Sequence, residues 1–193
     1  MWRTIFLSIV VCLASTSIIS SVAADWGKCQ RVSTQQDFDL TKYLGVWYEI
    51  ARFDYIFEKD GVCVQANYTL NPADHSKVIV TNSEYRNGSF EQAVGEAYIP
   101  NQKEPAKILV SFGSPFFAPY WVVETDYENY AMVFSCTSLL NVYHYEVAWI
   151  LSRSRQLDSS IVNKLMNKWK SFDVDVSRFS FTRQTNCKQS QKK

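Results

Sequence analysis

Apolar and polar residues alternate along most of the chain in short runs that end at turn-forming residues. Each run is typical of a half-buried β-strand. The eight predicted strands cover residues 45–56, 62–70, 77–86, 89–99, 106–112, 120–126, 130–137 and 143–153. Asn87-Gly88 between two of them is the clearest hairpin signal. The short connections predict antiparallel neighbours, because parallel strands need longer crossovers.

A helical period follows the last strand. Apolar residues on one predicted helical face are Ile161, Val162, Leu165, Met166 and Trp169. Ser159 or Ser160 can cap this helix, and an extended segment at residues 174–185 follows it. Many short strands and one helix predict an all-β protein, either a closed barrel or a β-sandwich, which strand spacing alone does not separate.

Residues 1–24 have the pattern of a signal peptide. The apolar run at residues 5–14 is too short to cross a bilayer, and Val22-Ala23-Ala24 offers small residues for cleavage. We therefore expect a secreted, extracellular protein in which residues 25–193 form one domain. An uncleaved anchor is the alternative. The chain has 20 basic and 19 acidic residues, and removing Arg3 balances them. Balanced charge argues against nucleic acid as a partner.

Cysteine spacing indicates disulfides. Removal of Cys12 with the signal peptide leaves four cysteines, an even number that predicts two disulfides with three alternative pairings. These cysteines are Cys29, Cys63, Cys136 and Cys187. The chain has no Cys-x-x-Cys spacing and only two histidines, His75 and His144, so we predict no metal site and no cofactor.

Two triplets are acceptors for N-linked glycans, Asn67-Tyr68-Thr69 and Asn87-Gly88-Ser89. In an exported chain both asparagines should face solvent. If Asn67 points outward from its strand, Tyr68 points inward, because neighbouring side chains lie on opposite faces.

Three motifs appear in order along the chain: Gly45-Val46-Trp47, Thr125-Asp126-Tyr127, and a run from Trp149 to Arg153. Together they resemble the lipocalin family over residues 29–187. Longer runs, at residues 118–121 and 125–131, resemble its subgroup of apolipoprotein D and the insect Lazarillo and bilin-binding lipocalins. The resemblance implies an eight-stranded antiparallel up-and-down barrel with one C-terminal flanking α-helix. Such a barrel encloses about one small ligand.

Strand reversals place all three motifs at the same end of this barrel. The resemblance implies that this end is closed, with Trp47 packed under the guanidinium of Arg153. The predicted floor residues are Gly45, Trp47, Thr125, Asp126, Tyr127 and Arg153.

Alternation then assigns the inward faces. Inward Arg153 brings Leu151, Trp149, Val147, Tyr145 and Tyr143 inside, and leaves His144 and Glu146 outside. Outward Cys136 brings Val133 inside. Inward Trp47 brings Glu49, Ala51 and Phe53 inside unless a bulge shifts the register. An inward Glu49 should be hydrogen-bonded, have a raised pKa or sit at a wet mouth.

The subgroup's properties add further expectations. They imply that Cys29 pairs with Cys136 and Cys63 with Cys187, and that the ligand is a fatty acid, sterol or bilin. The predicted ligand-binding residues, from position in the subgroup or from alternation, are Tyr68, Asn82, Phe112, Val133, Tyr145 and Trp149. Asn82 would orient a lipid among apolar walls.

Large apolar residues also occur in the loops at the opposite end. They are Tyr55-Ile56-Phe57, Phe116-Phe117 and Leu139-Leu140. They form either a lip that makes transient contact with membranes or lipoprotein, or a lid folded into the cavity.

The predicted function is reversible carriage of a small hydrophobic ligand, with a lipid-protective role suggested by the subgroup. The alternatives are a lipid-modifying enzyme of the same fold or a secreted interaction protein without a ligand. An enzyme with a cysteine nucleophile needs a free, activated thiol, and every mature cysteine has a plausible structural partner. We therefore expect no enzymatic activity.

Overall fold

A computed structural model describes residues 25–53 and 61–187. The predicted signal peptide, the Tyr55-Ile56-Phe57 loop and the end of the first predicted strand lie outside the described residues. None of the described helices is long and apolar enough to cross a membrane.

Eight strands close into a barrel. In chain order the elements are β1 (Asp25–Trp26), α1 (Leu40–Tyr43), β2 (Gly45–Phe53), β3 (Val62–Asn71), β4 (Asp74–Arg86), β5 (Ser89–Tyr98), β6 (Lys107–Ser111), β7 (Ala118–Thr125), β8 (Tyr130–Leu139), β9 (Tyr143–Ser152), α2 (Ser159–Lys170) and β10 (Phe179–Phe181). Strands β2 to β9 pair antiparallel in sequence, and β9 returns to pair with β2. This closing pair confirms the predicted barrel and rules out the sandwich.

Strand β4 and its hairpin show how local sequence builds the wall. Val78 and Val80 alternate into the interior and are buried. Asn87 and Gly88 then turn the chain with φ of 50° and 80°, and Arg86 pairs with Ser89 across them. Two positive φ values suit a tight hairpin turn, which Asn-Gly adopts at low steric cost.

Helix α2 packs on the outside of the barrel. It buries Val162, Leu165 and Trp169, and the Trp169 ring lies 6.1 Å from that of Phe134 in β8. Its N-cap is Asp158, whose carboxylate accepts from the backbone N–H of Ser160 at 2.7 Å.

The expected serine caps, Ser159 and Ser160, were wrong. An aspartate directly before the helix both accepts the free N–H and places negative charge at the positive end of the helix dipole.

A bulge in β2 changes which side chains enter the barrel. The register between β2 and β9 shifts between Glu49 and Ala51. Arg52 therefore lines the interior, whereas Phe53 packs 4.8 Å from Phe179 in β10, outside the barrel. The expectation that Ala51 and Phe53 face inward was wrong, because one extra residue inverts the alternation beyond it.

The C-terminal strap, residues 179–187, fills a gap in the wall. Strand β3 pairs with β2 only between Gly45 and Tyr48. Beyond that point β10 takes the free edge of β2. Gln184 then donates to the carbonyls of Glu49 at 2.9 Å and Val64 at 2.7 Å. The strap thus bridges two strands that no longer pair with each other.

Terminal segments also cover part of the outer surface. His144 and Glu146 point away from the interior as predicted, yet both are buried. His144 Nδ1 lies 3.3 Å from the carbonyl of Gly27, and Arg178 donates to Glu146 at 3.0 Å. The outward face of β9 is therefore a second core beneath the chain termini.

Candidate functional site

The closed end is held by one arginine. The Arg153 guanidinium lies 3.8 Å from the centre of the Trp47 ring. Its nitrogens donate to the carbonyls of Tyr127 at 3.0 Å, Val46 at 2.9 Å and Lys42 at 2.9 Å. Its donors are thus directed at the backbone of three segments that meet at the floor.

The Thr125-Asp126-Tyr127 turn completes that floor. Asp126 accepts from the backbone N–H groups of Asn129 at 2.8 Å and Tyr130 at 2.9 Å, and these bonds hold its pKa below the usual value despite partial burial. Tyr127 has a positive φ of 65°, and its backbone N–H donates to the Thr125 hydroxyl at 2.9 Å. These hydrogen bonds hold the turn in place at the floor of the barrel.

Above the floor lies a cavity of about 780 Å³. Its middle is apolar. The side chains of this apolar belt are Val78, Val80, Ala97, Ile108, Val110, Val147 and Leu151. Cavities of this size suit a drug-sized or lipid-sized molecule, and apolar walls favour an oily one.

Five of the six predicted ligand-binding residues lie on the cavity wall: Tyr68, Asn82, Phe112, Tyr145 and Trp149. Val133 does not line it. Val133 points inward, as alternation required, but it is fully covered within the buried cluster that includes Trp47 and Tyr68. Its expected place in the wall is therefore corrected, because its side chain is fully enclosed within that cluster.

Phe112 depends on a glycine opposite it. A Cβ on Gly95 would lie 2.7 Å from the Phe112 ring and 2.5 Å from the Ser111 carbonyl. Phe112 can therefore lie across β5 only because position 95 lacks a side chain.

The deep end of the cavity carries three tyrosines. The Tyr120 hydroxyl lies 2.9 Å from that of Tyr43 and 2.7 Å from that of Tyr68. Burial raises the pKa of Tyr68 to about 12 and that of the other two well above the usual value. All three hydroxyls therefore stay protonated at neutral pH.

The wall nearer the mouth is polar. Asn82, Glu84 and Arg86 alternate inward along β4, and Arg86 pairs with Glu84 and lies 3.7 Å from Glu91. The Asn82 Oδ1 and Arg86 Nε atoms are buried, with no hydrogen-bond partner among the described residues. Each of these atoms favours a polar ligand group or a water molecule beside it.

A second ion pair lies on β2, two strands away from β4 in the barrel. Arg52 Nε is 3.0 Å from Glu49 Oε1, and the side chains are nine-tenths buried. The Thr182 hydroxyl of the strap donates to the same carboxylate. Glu49 is thus hydrogen-bonded, as its inward position required.

The cysteines and acceptor asparagines lie on the outside. Cys29 is bonded to Cys136 and Cys63 to Cys187, so these four thiols are not free. Asn67 lies on β3, with its neighbours Ala66 and Tyr68 facing the cavity, and Asn87 is exposed at its hairpin turn. No cysteine is present in the described cavity wall, which leaves a cysteine nucleophile without a place there.

The rim presents apolar side chains to water. Phe116 is 81% exposed and Leu140 84%. Phe117 instead packs 5.2 Å from Tyr98. Phe116 also lines the cavity, so the described rim is an exposed apolar lip at the cavity entrance.

Several wall residues were missed from the sequence. Glu84 and Arg86 share the parity of Asn82, so alternation along β4 could have found them. Arg52 was hidden by the bulge. Tyr43 lies in the unpredicted helix α1, and nothing local relates it to Tyr120, which is 77 residues away.

Comparison with known proteins agrees with this geometry. A family model described as a lipocalin-like domain matches residues 38–184. Apolipoprotein D of Macaca fascicularis is 46% identical over 166 residues, which cover 83% of this chain and 85% of that protein. The chain belongs to the lipocalin family. Membership supports a hydrophobic-ligand carrier.

Two further lipocalins come from insects. The Lazarillo protein of Schistocerca americana is 30% identical, covering 96% of this chain and 87% of its own length. The structure of insecticyanin from the tobacco hornworm Manduca sexta has a TM-score of 0.72 and 30% identity, covering 84% of this chain and 89% of that one. The likeness therefore spans the whole barrel of this lipocalin.

Proposed function

We propose that this lipocalin is a secreted carrier that reversibly binds a small hydrophobic ligand of the fatty acid, sterol or bilin class. The observation that carries the proposal is the apolar belt within a cavity of about 780 Å³. A lipid that buries about 400 Å² of apolar surface there gains roughly 10 kcal/mol. Association costs about half of this gain or more, so micromolar affinity is expected.

A cavity-filling variant tests the proposal. Val110→Trp places an indole in the belt, and Val94→Trp places the same group on the exposed outer face of the neighbouring strand. The neutral fluorophore N-phenyl-1-naphthylamine is titrated into each variant. Its affinity should be at least tenfold weaker for Val110→Trp than for the wild type, and unchanged for Val94→Trp. Equal affinities in the two variants would exclude the barrel as the binding site.

Native mass spectrometry of protein purified from its own host addresses the ligand class. A bound lipid-sized mass that organic extraction removes would support carriage. Protein that emerges empty, and that also fails to bind the fluorophore, would favour the interaction protein without a ligand.

The exposed lip supports a weaker proposal, transient contact with membranes or lipoprotein. Phe116 and Leu140 would insert shallowly and reversibly, since no long apolar segment accompanies them. Phe116→Ser with Leu140→Ser should abolish flotation with phosphatidylcholine vesicles. Val94→Ser, which removes an exposed apolar side chain from the outer barrel wall, should leave it intact.

Export, glycosylation and lipid protection complete the proposal. Two disulfides favour an oxidising compartment, and an exposed Asn87 is accessible to a glycan. On expression in secreting eukaryotic cells, the protein should be released into the culture medium. Glycosidase treatment of that protein should lower its mass. A protective role requires that the purified protein lower lipid hydroperoxide levels in a defined assay.

A further inference from the structure

Three phenol groups meet at the deep end of the cavity, which we name the tyrosine triad: Tyr43, Tyr68 and Tyr120. They come from helix α1, strand β3 and strand β7. Tyr120 lies between the other two, with oxygen–oxygen distances of 2.9 Å and 2.7 Å. Tyr43 is fully buried and Tyr68 nearly so.

The hydrogens of the triad do not all have acceptors. Each phenol carries one O–H donor, and two hydrogen bonds join the three groups. Whichever way these bonds are oriented, one O–H remains. The described residues offer these hydroxyls no further hydrogen-bond partner. A buried donor without an acceptor is costly, so the site favours a ligand oxygen or a water molecule.

The electrostatics at the deep end of the cavity indicate which kind of ligand oxygen the triad can bind. Burial raises the pKa of all three phenols, which shows that negative charge is disfavoured there. The Arg153 guanidinium stacks on the Trp47 ring and directs its donors at backbone carbonyls. Because these Arg153 donors are already bonded to carbonyls, a carboxylate at the triad would find no hydrogen-bonded ion-pair partner in that guanidinium.

We propose that the tyrosine triad is a hydrogen-bond donor site for an uncharged oxygen, a ketone or hydroxyl, at the buried end of a lipid. This inference rests on the proposed carrier function. It defines an orientation: the oxygen lies at the floor, the carbon skeleton in the apolar belt, and any charged end near the polar wall at the mouth. Tyr68 pairs with Val80, and Arg86 lies six residues further along β4, about 20 Å away.

A matched ligand pair tests this site. Undecan-2-one and 2-methylundec-1-ene have nearly the same shape, but the alkene replaces the C=O group by C=CH₂ and cannot accept a strong hydrogen bond. Both are titrated by displacement of N-phenyl-1-naphthylamine from the wild type and from the triple variant Tyr43→Phe, Tyr68→Phe, Tyr120→Phe. Removing all partners together leaves no phenol unpaired, so the variant should fold. Tyr98→Phe, a phenol outside the cavity, is the control.

The triad predicts that the ketone-to-alkene affinity ratio falls about tenfold in the triple variant, with the alkene affinity itself unchanged within twofold. The ratio should not change in Tyr98→Phe. An unchanged ratio in the triple variant would overturn the inference.

Infrared spectroscopy provides a readout that does not depend on the variant. With a ¹³C-labelled carbonyl, the stretch of undecan-2-one bound to the wild type should lie at lower wavenumber than in hexane. A stretch at the hexane position would overturn the donor site while leaving the carrier function intact. If neither ligand displaced the fluorophore from the wild type, the carrier function would fail, and the inference with it.

Discussion

The closed and open ends of the barrel use the same residue types for different purposes. At the closed end Trp47 has no exposed surface and lies under Arg153. At the open end Trp26 is 75% exposed and touches Tyr143. Arg153 at the floor bonds to backbone carbonyls, whereas Arg86 at the mouth pairs with carboxylates around the cavity.

This difference indicates that the floor contributes stability to the barrel, whereas the mouth gives the ligand access to the cavity. Saturated hydrogen bonds and buried rings make the floor costly to disturb. At the mouth, apolar side chains are exposed to water, and Asn82 Oδ1 and Arg86 Nε have no hydrogen-bond partner within residues 25–53 and 61–187. A carrier needs both, because the ligand must enter without unfolding the barrel.

The largest expected contrast is between the two tryptophans. Trp47→Ala removes a fully buried ring and should lower the free energy of unfolding by about 4 kcal/mol. Trp26→Ala removes a mostly exposed ring and should cost less than about 1 kcal/mol. Urea unfolding followed by circular dichroism measures both. Similar losses at the two ends would contradict the division of roles.

The disulfide between Cys63 and Cys187 anchors the C-terminal strap, and removing it tests how the strap closes the wall nearer the mouth. Cys63→Ala with Cys187→Ala opens a cross-link that spans 124 residues and should cost about 3 kcal/mol. Fluorophore affinity should also fall, because the strap no longer bridges β2 and β3.

The other disulfide provides the matched control. Cys29→Ala with Cys136→Ala opens a span of 107 residues and leaves the strap attached. It should lower stability similarly without weakening ligand binding. Equal losses of affinity in the two double variants would show that the strap is not part of the cavity wall.

Alkaline pH probes the deep tyrosines. The unfolded chain releases the Tyr68 proton near pH 10, but the folded protein holds it to about pH 12. The contribution of Tyr68 to stability is therefore constant below pH 10 and falls by roughly 1.4 kcal/mol per pH unit above it, about 2 to 3 kcal/mol by pH 12.

Urea unfolding between pH 9 and 11.5 measures this slope. Tyr68→Phe should make the slope shallower, and Tyr98→Phe should leave it as in the wild type. A slope that is the same in all three proteins would show that Tyr68 is not protected from ionisation.

The smallest effect is expected at Gly95. Gly95→Ala places a methyl group against the Phe112 ring and the Ser111 carbonyl, and should cost about 1 to 2 kcal/mol. Ligand affinity should fall as Phe112 moves. Adding Phe112→Ala should restore affinity; if it does not, the Ser111 contact rather than the ring controls the site.

Much of the fold could be predicted from local sequence. Period-two alternation identified the strands, and Asn87-Gly88 identified a hairpin that the structure confirms. Parity brought Tyr68 and Trp149 to the cavity wall because a strand's side chains alternate whatever lies around it.

Other features were decided only by tertiary structure. The bulge after Glu49 turned Arg52 inward, since register depends on the partner strand rather than on β2 alone. His144 and Glu146 were buried by terminal segments remote in sequence. The triad joins Tyr43 to Tyr120 across 77 residues, a meeting that exists only once the barrel closes.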